Sequence, residues 1–180
     1  MIRLFVGIGL PDGLGERLAG LRGQIPGARW EPPENHHITL RFIGEVNEDT
    51  AIDIDSALAR VDAPAFEIAM QGVGHFESRG QVRSLWAGVA RDPALDHLHA
   101  RVETACQRAG LAAEGRKFHP HVTLARCRDT RAARIAGFLI DHGGFRAAAF
   151  PVGSFALYSS TLGHGGAVYN READYPLGRP

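Results

Sequence analysis

The sequence has little of what marks a secreted or membrane-bound chain. It carries only two cysteines, Cys106 and Cys127, and no Cys-x-x-Cys pair, so a disulfide framework is excluded and a reduced, cytoplasmic setting is expected. No apolar run approaches the ~20 residues that a membrane-spanning helix needs. The opening stretch, 1–10, is too short for a signal peptide and runs directly into Pro11-Asp12-Gly13, so none is expected.

Lysine is almost absent as well. Of the 20 lysines and arginines, only Lys117 is a lysine. Arginine suits bidentate contacts with phosphate, although a biased genome composition explains the preference more simply. The formal net charge is zero, which argues against a general binder of polyanions. Charge is spread unevenly, however. Residues 45–67 hold seven acids and one base, whereas residues 101–134 hold eight bases and three acids, so the second half is expected to present a basic surface.

Length and composition fit one domain of ordinary size. The chain has 180 residues, 44% of them hydrophobic, which is enough for a core and argues against disorder. Alternating apolar residues predict strands, and apolar residues three and four apart predict helices. The predicted strands cover about 2–8, 36–43, 64–73, 84–90, 118–127, 145–158 and 167–169, and a short strand at 28–31 fits the pattern. The predicted helices cover about 11–22, 49–61, 92–108 and 129–142.

What the sequence does contain is a repeated tetrad. His37-Ile38-Thr39-Leu40 and His121-Val122-Thr123-Leu124 both read His-x-Thr-Leu, and each lies in a predicted strand. The two histidines are 84 residues apart, close to half of the chain. This spacing indicates an internal duplication, although the halves show little other self-similarity. We therefore predict one domain over 1–180, made of two α+β lobes with pseudo-twofold symmetry.

The tetrads point to phosphate chemistry. On a strand, alternate side chains share a face, so each histidine lies beside its threonine. If the two strands are neighbours, two imidazoles and two hydroxyls converge on one cleft. Two imidazoles can divide proton donation and proton abstraction at a phosphodiester, while hydroxyls hold the phosphoryl oxygens. No cluster of Asp, Glu and His accompanies the tetrads, so we expect neither a metal nor another cofactor.

One tetrad alone would be a weak signal, because threonine in a strand and histidine on a surface are both common. Two tetrads at half-chain spacing are much stronger evidence. Other histidines have simpler interpretations. His119 lacks a third metal ligand beside His121 and is interpreted as a wall of the site, and His36 is expected to be exposed. Cys127 has no histidine spaced for nucleophilic catalysis and is predicted to be a buried thiol.

The sequence resembles the 2H phosphoesterase superfamily, and within it the RNA 2',3'-cyclic phosphodiesterases, also called 2'-5' RNA ligases. The resemblance runs nearly end to end, and both tetrads match the family motif. It is carried by Arg3-Leu4-Phe5-Val6 with Leu10-Pro11, by HITLRFIGEV at 37–46, by LWAGV at 85–89, by RKFHPHVTLAR at 116–126, and by Leu157-Tyr158-Ser159-Ser160 with Tyr169.

The resemblance implies a bilobal α+β fold with the site in a cleft between two antiparallel sheets. It also implies metal-free hydrolysis of a 2',3'-cyclic phosphate to a 2'-phosphate. His37 would then be the proton donor to the leaving 3' oxygen, and His121 the proton acceptor that activates water. Thr39 and Thr123 would hold the non-bridging oxygens. The order of acid and base comes only from the resemblance, because the motifs are near-symmetric.

Three further residues are candidates for substrate binding. Phe42 and Arg126, each five residues after its histidine, resemble residues that sandwich the terminal base in this family. Strict alternation puts both on the face opposite the histidines, so a strand end, a strong twist or a bulge must shift them. Arg41 shares the face of His37 by alternation and could bind phosphate, with a salt bridge at the rim as the alternative. For Phe42 a place in the core is the alternative, and for Arg126 a solvated position.

Three functions are compatible with these residues. The first is hydrolysis of a 2',3'-cyclic phosphate on RNA ends or nucleotides, such as cleaved tRNA, short oligonucleotides, cyclic mononucleotides or an ADP-ribose cyclic phosphate. The second is 2'-5' RNA ligation at the same site. The third is an RNA- or nucleotide-binding module without catalysis, against which the intact tetrads argue. A monomer without a membrane partner is expected in each case.

Overall fold

The structure, a computed structural model, describes residues 1–178 as nine strands and four helices, which confirms the predicted α+β class. The strands are β1 (Ile2–Gly9), β2 (Ala28–Trp30), β3 (His37–Val46), β4 (Phe66–Ser78), β5 (Gln81–Val89), β6 (His121–Thr130), β7 (Arg146–Val152), β8 (Ser154–Gly163) and β9 (Gly166–Pro176). The helices are α1 (Leu14–Ala19), α2 (Glu48–Leu58), α3 (Pro93–Arg108) and α4 (Ala136–His142). Short 3₁₀ turns, Pro33–Asn35 and Ala132–Arg134, precede β3 and α4.

All the strands belong to one antiparallel sheet, in the order β7-β4-β5-β6-β3-β1-β8-β9 with β2 beside β6. The two motif strands, β3 and β6, are neighbours at its centre. Only one residue pair joins them, Ile38 opposite Val122, and further along β6 its partner on that edge is β2. Ile38 and Val122 occupy the same position of their tetrads, so the two halves of the sheet meet at equivalent residues.

Buried apolar side chains of the sheet and the helices form one hydrophobic core. In β1 the core face carries Leu4, Val6 and Ile8, all at most 2% exposed. Leu95 and Leu98 of α3 are fully buried as well, as their helical spacing predicts. Burying this many large apolar side chains is the main source of folding free energy. The opposite face of the central strands is left for the polar residues of the tetrads.

One predicted helix start is wrong. The helix predicted over 129–142 starts too early, because Asp129 and Thr130 both lie in β6. The hydroxyl of Thr130 donates to the carbonyl oxygen of Pro26 at 3.0 Å, and does not accept a hydrogen bond from an N–H at a helix start. Pairing with a neighbouring strand here overrides the local capping tendency of the two residues. The helix begins only at residue 136.

Three other predictions change in detail. The single strand predicted over 145–158 is two strands, β7 and β8, separated at Gly153. Helix α2, predicted over 49–61, covers Glu48–Leu58 and is capped by Asn47, whose side chain accepts a hydrogen bond from the Thr50 N–H. His36 is buried, not exposed, and its ring lies 3.1 Å from the carbonyl oxygen of Gly15.

None of the helices formed by residues 1–178 is both long enough and apolar enough to cross a membrane.

Gly27 lets β2 lie close to β6, and this closeness can be tested. Its φ is +83°, and a Cβ there would collide with the carbonyl oxygen of Arg128. Gly110 is a matched control, with φ +92° and open space around a Cβ. Gly110→Ala is expected to cost about 1–2 kcal/mol of unfolding free energy through backbone conformation alone. Gly27→Ala is expected to cost more, because the backbone of β6 must also move. Equal losses in urea unfolding would contradict this close packing.

Candidate active site

Both tetrads lie at the start of their strands, and their histidine and threonine side chains lie on the face turned away from the core. Their cross-strand neighbours are Gly9 and Gly7 of β1 for the first, and Gly88 and Trp86 of β5 for the second. Because Ile38 faces Val122 in an antiparallel pair, His37 lies on the side of Thr123, and Thr39 lies on the side of His121. Each histidine therefore lies across the seam between β3 and β6 from the threonine of the other tetrad, so the four side chains meet on one surface.

A β-bulge at the same place in each motif strand shifts the residues that follow. The extra residue is Leu40 in β3 and Leu124 in β6, the last residue of each tetrad. A bulge moves the alternation of side chains by one position. Phe42 and Arg126 are therefore back on the face of their histidines, and both are exposed there. Both motif strands therefore contain the bulge that is needed to bring Phe42 and Arg126 to the face of their histidines.

A carbonyl two residues earlier holds the ring of each histidine. Nδ1 of His37 lies 2.7 Å from the carbonyl oxygen of Asn35, and Nδ1 of His121 lies 2.6 Å from that of His119. A carbonyl oxygen only accepts, so the hydrogen of the neutral ring is assigned to Nδ1 and Nε2 is left as the acceptor. The hydroxyl of Thr39, 3.0 Å from Nε2 of His37, donates to it. Each ring can thus take up a proton at Nε2 and, once charged, donate it.

Aromatic side chains surround His37. Its ring centroid lies 4.6 Å from that of Phe5 and 5.2 Å from that of Tyr169. Burial lowers the pKa of His37 from 6.5 to about 4, and the positive charges of Arg126 and His121 act in the same direction. The carboxylate of Glu31 opposes them. The imidazole is therefore neutral in the free protein at neutral pH, and an anion in the cleft would favour its protonated form.

A second set of rings surrounds His121. The centroid of Phe76 lies 4.9 Å from it in an edge-to-face arrangement, and Trp86 and His119 lie 6.1 Å from it. Burial lowers the pKa of His121, and the charges of His119 and Arg126 add to this effect. Both imidazoles are thus biased towards the neutral form, but only His37 has a carboxylate that favours its charged form.

Within residues 1–178, no three His, Cys, Asp or Glu side chains are grouped closely enough to hold a metal ion.

Glu31 links the two sides of the site, and no pattern in the sequence indicates this role. Its side chain is 8% exposed, and one carboxylate oxygen lies 3.1 Å from Nε of Arg126. The other accepts a hydrogen bond from Nδ2 of Asn35 at 3.3 Å. Asn35 also donates to the carbonyl oxygen of Ala167 in β9 at 2.8 Å, while its own carbonyl holds His37. Glu31 therefore fixes both a cation beside the cleft and the segment that orients a histidine. Trp30-Glu31 followed by two prolines is an ordinary strand end, so only the fold reveals this link.

The structure does not bring Phe42 and Arg126 together around one base. Each lies four residues past the Ile38–Val122 pair, in opposite directions, so about 20 Å separates their positions along the sheet. Arg126 points to Glu31, and the hydroxyl of Tyr169 interacts with it. The ring of Phe42 instead has the guanidinium of Arg3 above it, 5.2 Å from its centroid.

The prediction that Arg41 lies on the face of His37 is wrong, and its binding of phosphate stays a prediction that this position does not favour. The bulge at Leu40 turns Arg41 to the core side, where its guanidinium is buried. Nε lies 2.8 Å from Oε2 of Glu103 in α3, as an ion pair whose angle is unsuited to a hydrogen bond. Nη1 donates to Glu114 at 3.2 Å, and Nη2 donates to the carbonyl oxygen of Ala112 at 2.6 Å. The alternative of a salt bridge is correct, but the bridge is buried rather than at a rim.

Arg41→Met is expected to lower the unfolding free energy by roughly 3 kcal/mol, because it leaves the partly buried Glu103 without its cation. Affinity for inorganic phosphate, measured by calorimetry, is expected to stay at the parent value. Adding Glu103→Gln should recover part of the lost stability, since it removes the unpaired charge. Weaker phosphate binding at unchanged stability would instead show that Arg41 contributes to phosphate binding at the site.

A family model described as LigT-like phosphoesterase matches the chain twice, over residues 8–86 and 89–169. Each stretch contains one tetrad, with His37 in the first and His121 in the second. The double match agrees with the internal duplication that the spacing of the tetrads indicates.

Individual relatives match over most of their length. The chain is 35% identical to the RNA 2',3'-cyclic phosphodiesterase of Aeropyrum pernix over 159 residues, which cover 85% of the chain and 90% of that protein. The crystal structure of Escherichia coli LigT in apo form is similar, with a TM-score of 0.82, 27% identity, and coverage of 99% of the chain and 98% of LigT. The crystal structure of E. coli LigT complexed with 3'-AMP has a TM-score of 0.81 and 26% identity, with 99% of each chain covered.

Proposed function

Because the chain belongs to the LigT-like phosphoesterase family, we propose that it hydrolyses a terminal 2',3'-cyclic phosphate of RNA or of a nucleotide to a 2'-phosphate. The observation that carries the proposal is the pair of imidazoles on one surface, each held through Nδ1 so that Nε2 is the nitrogen that exchanges a proton. The relative in A. pernix is named for this activity, and E. coli LigT was crystallised with 3'-AMP.

The reaction needs one proton given and one proton taken. A water oxygen attacks phosphorus while Nε2 of His121 accepts the proton that the water loses. The bond from phosphorus to the 3' oxygen breaks, and Nε2–H of His37 donates its proton to that oxygen. The hydroxyls of Thr39 and Thr123 donate to the two non-bridging oxygens, for which Thr39 turns away from Nε2 of His37.

The role of His37 as the acid comes from the family resemblance, and one nearby charge acts in the same sense. Glu31 favours the charged form of His37, whereas the charges acting on His121, those of His119 and Arg126, oppose its protonation. Burial still outweighs Glu31 in the free protein, so the negative phosphate itself must supply the rest of the bias towards a protonated His37. The acid in this mechanism is therefore formed when substrate binds.

We also propose that the chain acts as a monomer in the cytoplasm, on RNA ends or free nucleotides. One chain supplies both tetrads, so a second copy is not needed to complete the site. The residues in this mechanism act without a metal or another cofactor. Turnover is therefore expected to persist in excess chelator.

His37→Ala and His121→Ala are each expected to lower kcat for a 2',3'-cyclic nucleotide by about 10²–10⁴, since each removes one proton-transfer group. His164→Ala, in the turn between β8 and β9, is a matched control that should keep parent activity. Chromatography of the product should show the 2'-phosphate. Retained turnover in both tetrad variants, or a 3'-phosphate product, would contradict the proposal. Incubation with cleaved RNA halves tests 2'-5' ligation separately.

The pH dependence of kcat/KM should be bell-shaped, with its maximum on the acid side of pH 6.5. Activity needs one charged and one neutral imidazole, a state most populated between two pKa values that burial has lowered below 6.5. Bound phosphate raises both values, so the maximum for kcat should lie at higher pH than that for kcat/KM. A kcat/KM maximum above pH 7 would show that burial does not govern these groups.

A further inference from the structure

The loop of residues 109–120 runs from α3 into β6, contains neither helix nor strand, and ends at the second tetrad. Near its end, the carbonyl oxygen of His119 lies 2.6 Å from Nδ1 of His121 and holds that ring. A loop of this length has many accessible conformations unless side-chain contacts select one of them. The contacts that fix this loop therefore bear on the orientation of His121.

The middle of the loop is held by Arg41, which belongs to the strand of the other tetrad. Nη2 of Arg41 donates to the carbonyl oxygen of Ala112 at 2.6 Å, and Nη1 donates to Glu114 at 3.2 Å. Nε lies 2.8 Å from Oε2 of Glu103 in α3, as an ion pair. Because the guanidinium is planar and presents its donors in a fixed fork, these partners hold it in one position. One buried side chain thus joins β3 and α3 to the loop.

Two carboxylates complete the contact between the loop and the rest of the protein. Glu103 accepts a hydrogen bond from the Glu114 N–H at 2.9 Å, so α3 also holds the loop directly. Glu114 accepts hydrogen bonds from the side chain of Arg116 at 3.1 Å. These contacts with Arg116 lower the pKa of Glu114 to about 2, and the charge of Arg41 acts in the same direction. The carboxylate of Glu114 is therefore charged at neutral pH, as an ion pair with Arg41 requires.

Nearer to the second tetrad the loop makes two looser contacts. The ring of Phe118 stacks on that of His99 in α3, with centroids 3.9 Å apart and planes 7° apart. The Val89 N–H donates to the carbonyl oxygen of Pro120 at 3.3 Å, which is long for a hydrogen bond. Stacked rings can slide over each other, and a long hydrogen bond is weak. These two contacts therefore guide the peptide of His119 without fixing it by themselves.

The first half of the chain solves the same problem in another way. Arg41 and Ala125 are equivalent residues, each four positions after the histidine of its tetrad. Ala125 lies opposite Trp30 where β2 pairs with β6, and the Glu31 N–H donates to the carbonyl oxygen of Leu124 at 2.8 Å. Main-chain pairing with the other motif strand thus holds the segment before the first tetrad. Within residues 1–178 no strand precedes the second tetrad in this way, and a side chain of β3 holds the loop instead.

We propose that Arg41 is a positioning residue for His121, which it orients through the loop of residues 109–120. A side chain from the strand of one tetrad thereby sets the geometry of the other tetrad. The expected effect on turnover rests on the proposed function, whereas the effect on the imidazole does not. A displacement of about 1 Å in a reacting group can lower a rate by about 10²-fold, so a modest loosening of the loop is measurable.

Arg41→Met combined with Glu103→Gln separates this role from stability. No unpaired buried charge remains in this double variant, because Glu114 keeps Arg116 as its partner, so urea unfolding should show higher stability than for Arg41→Met alone. For 2',3'-cyclic AMP, kcat is nevertheless expected to stay at least tenfold below the parent value. KM should stay within about threefold of it, because the threonines are held by their strands and not by the loop. Recovery of kcat together with stability would overturn the proposal.

Two further variants distinguish the loop from the fold as a whole. Glu114→Ala removes the contact from the side of the loop while Glu103 still pairs with Arg41, and it is expected to lower kcat at least threefold with little loss of stability. Leu58→Ala is the control, since it destabilises the protein through a cavity beside α2, outside the loop. It should keep the parent kcat at a temperature where circular dichroism shows it folded. An equal fall of kcat in Leu58→Ala would instead indicate a general effect of stability and would contradict the role of Arg41.

A ¹⁵N NMR spectrum of the imidazoles tests the orientation without any turnover. In the double variant at pH 7, a substantial fraction of His121 is expected to carry hydrogen on Nε2, whereas His37 should keep its hydrogen on Nδ1. A His121 that keeps the parent tautomer would overturn the proposal whatever the value of kcat. Absence of turnover by the parent protein would contradict the proposed function, and the NMR comparison would then decide the role of Arg41 alone.

Discussion

The site depends on one hydrogen bond, made twice, from Nδ1–H of a histidine to the carbonyl oxygen two residues before it. This bond fixes the tautomer, so Nε2 is the only nitrogen of the neutral ring that can accept a proton. It is also local, because donor and acceptor are on the same strand start. Each tetrad thus carries the orientation of its own histidine, and the fold has only to place the two strand starts together.

The sheet places them together through a single residue pair. Ile38 faces Val122, and further along β6 the neighbouring strand on that edge is β2 instead of β3. A continuous ladder between β3 and β6 would fill the space above the seam with further cross-strand pairs. The single contact leaves room for a ligand while keeping four side chains at fixed positions. The matching bulges at Leu40 and Leu124 end each motif and redirect the chain.

The symmetry of the tetrads does not extend to their surroundings. His37 lies among Phe5 and two tyrosines, with the carboxylate of Glu31 nearby, whereas His121 lies against Phe76, Trp86 and a third histidine. A phosphate anion between them meets two neutral rings but only one that a carboxylate helps to charge. This difference in charge favours the proposed role of His37 as the acid, but burial of His37 acts against it, so the bound phosphate must supply most of the bias.

The tetrads, the α+β class and most elements were predictable because their signals are local patterns of alternation and spacing. Arg41 was not, because one extra residue in β3 reverses the face of everything after Leu40, and no residue type marks that bulge. Glu31 was not, because its partner Arg126 is 95 residues away in the chain. The division into two lobes stays a prediction.

The most direct test of this account is a ¹⁵N NMR titration of the imidazoles of His37 and His121, assigned through single-residue variants. In the free protein at pH 7, both rings are expected to be neutral with hydrogen on Nδ1 and none on Nε2. Saturating inorganic phosphate should move the titration of at least His37 to higher pH. Hydrogen on Nε2 in the free protein, or two charged rings at pH 7, would contradict the account.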